Sequence, residues 1–346
     1  MKKIAVLFGA KSFEHEISIV SAIAMKSVLK NELVYIFVDK DRKFYHIPTN
    51  IIKSKLFSTG EYKKSKQLNI TNGGFEIPGM FGNKKLEFDV LLNLSHGGDG
   101  ENGTIAALLD FFEIDYIGPR VESSVISCNK FLTKAYAKEI GVDTIDFTYF
   151  KKGDTIEVNQ YPVIIKPVRL GSSIGVSIVK EESQLEYAID VAFEFDDEII
   201  IEPFIEGILE YNLAGAKVNG EIVYSIVEEP QKEEFLDFDK KYLDFNRTSK
   251  VNAADISNEL EEKLRNNFAK TYNTFFDGSL IRCDFFVVND KVFLNEINSI
   301  PGSMGNYLFD DFQDTINGLI QSLPKQKDII INYEYVNKIQ SAKGKA

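Results

Sequence analysis

Glu296 and Asn298 stand two positions apart in "VFLNEINSIPG" (292–302), a run that reads as a strand closed by proline and glycine. Side chains two apart on a strand share a face. Arg282 and Asp284 share a face of the preceding run, "SLIRCDFFVV", in the same way. Only the turn "VNDK" separates the two runs, so a hairpin is predicted, with Asp284 opposite Glu296 or Asn298. Two carboxylates and a carboxamide suit Mg²⁺, which takes oxygen ligands and keeps phosphate oxygens and water as the remainder. The plainer alternative is a charged outer face on an edge hairpin, and the apolar neighbours weigh against it.

Further runs could hold an anion. Lys166 lies in "VIIKPVRLGSSIGVS" (163–177) among apolar residues, where a long cation needs an anionic partner. The turn "RLGSSIG" can cradle phosphate with backbone N–H groups and hydroxyls. It is not a GxxxxGK[ST] loop, because strands flank it on both sides. Glu202, in "IIIEPFIEG", follows an apolar strand and could accept from a ribose or an adenine amino group; a capping or linker carboxylate is the equal alternative. In "SHGGDGENG" (95–103), His96 stands where a strand ends before a helix, the usual ligand position in α/β sheets. Glu14, His15 and Ser18 hold the equivalent place after the first strand, and the two loops could form one pocket.

These groups need a frame. The chain has 346 residues, which fits two or three domains, and a net charge of -12, which argues against a general nucleic-acid binder. The basic run 53–66 reads as a solvated loop. Cys128 and Cys283 show no disulfide spacing and are expected as free thiols. "MKKIAVLFGA" reads as a first strand rather than a signal peptide, and no apolar stretch is long enough to span a bilayer. The cytoplasm is the expected location, with no membrane and no nucleic acid as partner.

Strand, helix and strand over residues 4–39 predict a βαβ unit and a parallel sheet, with Ser18 as a helix cap. Residues 48–85 are expected to be an irregular excursion with a hairpin. A strand at 88–94 and a helix from Thr104 complete an open α/β domain over 1–119. One helix over 126–141 opens a β-rich domain at 120–206. Strands at 211–218, 221–228, 279–288 and 291–297, with a helix over 255–276, make a third domain at 207–335. The tail 336–346 is expected to be frayed.

Seven runs in order, "FGAKSFEHEIS", "SHGGDGENG", "KPVRLGSSIG", "EPFIEG", "KKYLDF", "IRCDFF" and "NEINSIPG", resemble the D-alanine–D-alanine ligases of the ATP-grasp superfamily. The likeness covers about residues 4 to 325. It implies a mixed α/β and α+β, ATP-grasp architecture: an N-terminal open parallel-sheet domain, then central and C-terminal domains with ATP between them. It implies ATP, two Mg²⁺ ions (with Mn²⁺ as a substitute), two D-alanine sites and a homodimer.

By the same resemblance, Lys130 and Lys166 touch phosphates. Glu202 and Glu210 hold adenosine, with Phe204 and Ile205 near the base. Asp284, Glu296 and Asn298 bind the metals. Arg282, helped by the backbone near Gly302, steadies the transferring phosphoryl group. Glu14 takes the first ammonium, His96 lies near that amino acid, and Ser172 and Tyr242 complete a hydrogen-bonded set with Glu14. Lys241 is a further phosphate contact on a closing loop at 229–248. Tyr307, beside Leu308, falls where the family often has a serine, which puts the second-substrate contact in doubt. The glycine pattern after His96 also departs from the family's.

A carboxylate repels an incoming amine, and phosphorylation removes that charge and supplies a leaving group. The resulting acyl phosphate must be kept from water, a task suited to a polar loop dotted with Phe235, Leu236, Phe238, Tyr242 and Phe245. No base is assigned to the attacking amine. Another ATP-grasp carboxylate–amine ligase would share the metal set but differ at Glu14, His96, Ser172 and Tyr242. A D-alanine–D-lactate ligase would differ in the closing loop, where Tyr242 favours a dipeptide product. A non-catalytic nucleotide-binding regulatory module would tolerate loss of Arg282 or a metal ligand, and none is missing.

Overall fold

The computed structural model describes residues 1–230 and 251–343. Among them three sheets follow one another along the chain. The first contains β1 (Ile4–Gly9), β2 (Leu33–Val38), β3 (Phe44–Ile47), β4 (Lys66–Thr71), β5 (Gly74–Ile77), β6 (Lys84–Lys85), β7 (Val90–Asn93) and β8 (Tyr116–Ile117), in the order β6-β5-β4-β3-β2-β1-β7-β8. The strands β2, β1, β7 and β8 run parallel. β1 and β2 are buried along their whole length, which is why they read as unbroken apolar runs rather than alternating ones.

The excursion after β2 continues the sheet in antiparallel pairing from β3 to β6. The run 53–66 is not a solvated loop. Ser54–Ser58 is a short helix, and Leu56, Phe57 and Tyr62 are buried. The Phe57 and Tyr62 rings lie 4.7 and 4.8 Å from Phe37. The lysines between these residues face water, and they disguised an apolar side of only three residues.

The second sheet holds β9 (Thr148–Lys151), β10 (Val163–Pro167), β11 (Ser177–Val179) and β12 (Glu198–Pro203), all antiparallel, in the order β11-β10-β12-β9. Ala188 and Ala192 of the helix Leu185–Phe193 pack with Val163, Ile165, Ile199 and Ile201 on one face. The third sheet holds β13 (Leu209–Val218), β14 (Glu221–Glu228), β15 (Leu280–Val288) and β16 (Lys291–Asn298), also antiparallel, in the order β14-β13-β15-β16. The helix Asn258–Phe275 covers it with Leu264, Phe268 and Tyr272, and the Ser257 side chain caps that helix by accepting from the Leu260 N–H.

Four local expectations change. The single helix over 126–141 is two, Val121–Cys128 and Lys130–Glu139, broken at Asn129, whose side chain caps the second by accepting from Leu132 N–H. Tyr136 and Ala137 join the core of the third sheet, so the second sheet's block does not own these helices. Ser18 is no cap: it lies inside the helix His15–Val28, accepts from Gly9 N–H and donates to the Leu94 carbonyl, tying the ends of β1 and β7 together. The tail is helical over Glu334–Lys343, with its side chains exposed through residue 342.

Candidate active site

The hairpin of β15 and β16 sets Asp284 opposite Glu296 and Arg282 opposite Asn298. The Arg282 guanidinium donates to both Asp284 oxygens, at 2.7 and 2.9 Å, and the Asn298 amide donates to one of them at 3.0 Å. Burial pushes the Asp284 carboxyl up against the pull of Arg282, and the nearby Glu296 charge adds to the rise. Glu296 itself makes no hydrogen bond or ion pair with a described residue. A half-buried carboxylate with no ion-pair partner among the described residues, beside a second carboxylate and opposed through space by Lys130, is short of positive charge. That donor set, completed by the Asn298 carbonyl oxygen, fits a divalent ion whose other ligands are phosphate oxygens and water. It holds only two carboxylates, so no cluster of three or more His, Cys, Asp or Glu side chains forms a metal site by itself among the described residues.

β16 carries one extra residue. The pairing steps from Asp284–Glu296 to Phe285–Leu294, which leaves Asn295 as a bulge. Asn295 is thereby within reach of the second sheet, where its side-chain oxygen lies 3.4 Å from the Lys166 ammonium. Lys166 donates to Glu202 at 2.7 Å, and Lys134 donates to the other Glu202 oxygen at 2.7 Å. Burial works against the Glu202 charge, but Lys166 and Lys134 outweigh it and hold the carboxyl below the usual range. Glu202 is thus an internal ion-pair partner on β12, not a linker carboxylate. The Lys130 ammonium donates to the Leu170 carbonyl at the edge of the glycine–serine turn, and burial lowers its pKa.

That turn and the first loop meet. Ser172, at φ +53°, donates to Glu14 at 2.5 Å. Burial pushes the Glu14 carboxyl up, against the Ser172 hydrogen bond, and Glu296 adds to the rise. Gly97 and Gly171 close around the same carboxylate. A Cβ at Gly97 would lie 2.4 Å from Glu14 Oε2, and one at Gly171 would lie 3.2 Å from Oε1. The loops after β1 and β7 therefore meet at Glu14, and their glycines, with the turn's Gly171, leave room for its carboxylate. Arg42 holds the second loop from below through two bonds to Asp99, at 2.8 and 2.9 Å.

His96 is buried, 2.9 Å from the Ser21 hydroxyl, and burial pushes its pKa down to about 4. Ser21 also accepts from Ser303 N–H, so this contact joins the first loop region to the segment Gly302–Leu308. That segment is buried throughout, with Ser303, Met304 and Gly305 at positive φ, and Tyr307 lies against the Arg282 guanidinium. Phe204 and Ile205 are half-buried between β12 and β13, the Phe204 N–H donating to the Pro162 carbonyl. Glu210, on β13, pairs in register with Phe286. Tyr242, Lys241 and nearly all of the closing loop lie outside the described residues.

Sequence reasoning missed Lys134, Asn295 and Glu101. Lys134 follows Lys130 by one helical turn, a visible signal. Asn295 reads as an ordinary strand residue until the bulge is known. Glu101 sits in a glycine-rich loop and reads as solvated. Burial and then Glu14 push its carboxyl well above the usual range, and its Oε1 lies 4.0 Å from His96.

An N-terminal α/β sheet, followed by two antiparallel sheets that meet where Lys166 of one reaches Asn295 of the other, is the architecture of ATP-grasp ligases. Comparison narrows the class. Residues 3–119 match the family model for the D-Ala D-Ala ligase N-terminus, and residues 137–312 match that for its C-terminus. D-alanine–D-alanine ligases of a Sulfurovum species and of Wolinella succinogenes are 61% and 57% identical over 345 and 343 residues, each aligned over 99% of both chains. The crystal structure of D-alanine–D-alanine ligase from Helicobacter pylori is 47% identical, with a TM-score of 0.85 over 94% of this chain and 100% of that one. The chain belongs to the D-alanine–D-alanine ligase family.

Proposed function

We propose that the protein joins two D-alanines at the expense of ATP, releasing ADP and phosphate, by way of a D-alanyl phosphate. The pairing of Asp284 with Glu296, beside Arg282 and Asn298, carries this reading. The product is a peptidoglycan precursor. Family membership makes the cytoplasm the expected location and a homodimer the expected assembly. Among the described residues no helix is long and apolar enough to cross a membrane.

Glu14 receives the ammonium of the first D-alanine, with Ser172 fixing the carboxylate and Gly97 and Gly171 limiting the space around it. His96, kept neutral by burial, lies near the same amino acid. The carboxylate of that D-alanine attacks the γ-phosphorus, and two anions must be brought together. Lys130, Lys166 and Arg282 supply fixed positive charge for the approach. Asp284, Glu296 and Asn298 would hold two divalent ions, which when bound neutralise charge on the phosphate tail. Glu202, Glu210, Phe204 and Ile205 enclose the adenosine. The second amine then attacks the acyl carbon, phosphate leaves, and Arg282 with the backbone at Gly302 steadies the oxyanion. Tyr307 and Leu308 border the second D-alanine. Tyr242 and Lys241 act from the loop that shuts out water.

The test is incubation of the pure protein with ATP, Mg²⁺ and D-alanine, each omitted in turn. Mass detection of the dipeptide together with phosphate release is expected only with all three. Phosphate release without dipeptide, or dependence on a different amino acid, would overturn the reading. A regulatory nucleotide-binding module would bind ATP and release nothing.

A further inference from the structure

We propose that Lys134 is a positioning residue for the nucleotide, acting through Glu202 on Lys166; the inference rests on the nucleotide site described above. Lys134 projects from the helix Lys130–Glu139 and is 4% exposed. A buried ammonium needs partners. Lys134 donates to the Ile145 carbonyl at 2.9 Å and to Glu202 Oε1 at 2.7 Å, and stands over the Phe147 ring, 5.3 Å from its centroid. Glu202 is 3% exposed and gives its other oxygen to Lys166, also at 2.7 Å. One rigid carboxylate therefore spaces two ammonium groups that come from different elements, a helix and β10. Lys166 is steadied on its far side by the bulged Asn295, one residue from Glu296. The chain of contacts thus runs from the helix to the strand that carries the proposed metal ligands.

The charge balance gives Lys134 a function beyond packing. Lys134 and Lys166 share the carboxylate of Glu202, while Lys130 is drawn by Glu296 as well as by Glu202. With Lys134 on Oε1, Lys166 is confined to Oε2, and part of its positive field remains available to an incoming anion. Without Lys134, the freed oxygen would draw Lys166 into a two-oxygen contact and away from the nucleotide. The positive charge of the cluster would also fall by one.

Kinetics on the full-length protein, with wild-type dipeptide formation established first, test this. Lys134→Met, Glu202→Gln and the double variant are compared, and ATP binding is measured by calorimetry without D-alanine. Lys134→Met is expected to raise the KM for ATP and weaken ATP binding by at least about tenfold, as for truncation of one partner of a buried charge pair. The KM for D-alanine should stay within about twofold. The double variant should bind ATP no worse than Glu202→Gln alone, because the effect passes through that carboxylate. Should the methionine variant fail to fold, Lys134→Gln keeps a donor for the Ile145 carbonyl, and the same loss is expected. ATP binding within about threefold of wild type in a folded variant, or losses that add in the double variant, would overturn the proposal. A wild-type protein that binds ATP but forms no dipeptide would remove the substrate reading, and the binding arm would still decide the role of Lys134.

Discussion

Replacing Gly97 with alanine places a methyl carbon 2.4 Å from Glu14 Oε2 and 2.5 Å from the Ser12 hydroxyl. Ordinary contact begins near roughly 3.5 Å, so the carboxylate must retreat by about 1 Å. A misplacement of that size costs on the order of 100-fold in rate when it moves a group that orients substrate, equivalent to about 2.7 kcal/mol. The backbone adds a separate penalty. Gly97 has φ +62° and ψ -176°, a region essentially limited to glycine, worth roughly 1–3 kcal/mol of stability. The two effects separate with a control. Gly141→Ala also forces alanine to positive φ, at +68°, but its Cβ meets nothing within 4 Å. Initial rates at varied D-alanine and saturating ATP, with thermal melting of both variants, give the comparison. Gly97→Ala should lose about 100-fold in kcat/KM for D-alanine, whereas Gly141→Ala should lose stability and keep its rate. A folded Gly97→Ala protein within about threefold of wild type would refute the placement of the first substrate on Glu14.

Other perturbations read other parts of the site. Ser172→Ala removes the 2.5 Å bond to Glu14, and the KM for D-alanine should rise about tenfold, the worth of a hydrogen bond to a charged group; an unchanged KM from initial rates would detach the turn from substrate binding. Glu296→Gln removes a carboxylate that has no ion-pair partner among the described residues, and phosphate release with D-alanine present should fall at least about 100-fold while the melting temperature holds or rises; near-native turnover across a Mg²⁺ titration would remove this residue from the ligand set. His96 gives a pH signature. Its folded pKa of about 4 lies below the unfolded value, so as pH falls from 7 to 5 the unfolded chain binds a proton that the folded chain refuses. Folding stability should therefore drop by about 2 kcal/mol over that window from this group, and the loss levels off below pH 4. Glu101, facing His96 with a raised pKa, acts with the opposite sign, so denaturation curves of wild type and His96→Gln are compared at each pH; parallel curves would contradict a neutral, buried imidazole.

How much of this was legible in the sequence depends on the distance over which each feature is fixed. The acid-bearing hairpin was readable because the period of a strand and a short turn are local, and the register fell on Asp284 and Glu296 as one of the two foreseen pairings. The bulge at Asn295 was not, since one extra residue leaves the composition of a strand unchanged. The break at Asn129 had a local signal, a good capping residue, hidden by apolar periodicity that continued across it. Lys134 and Glu101 are charged residues for which local sequence gives no sign of burial. Their burial is decided by Glu202 and Glu14, which lie 68 and 87 positions away in the chain. Tertiary placement, not local pattern, sets such environments.

The same long-range convergence explains why the site is built with more acid than its cations can cancel. Glu14 and Glu101 come from the loops of the first sheet and Glu296 and Asp284 from the third, and each of the first two is raised partly by another acid in the group. Fixed cations oppose them unevenly: Arg282 is spent on Asp284, Lys166 and Lys134 are spent on Glu202, and Lys130 acts through space on both Glu14 and Glu296. What the arrangement lacks, among the described residues, is a cation in direct contact with Glu14 or Glu296. In the proposed reaction a D-alanine ammonium would supply the first and a divalent ion the second, and each would lower the repulsion that the other must overcome. Binding of amino acid and of metal-bound nucleotide should therefore be mutually reinforcing, by reciprocity of the coupling, even though the two ligands touch different sheets.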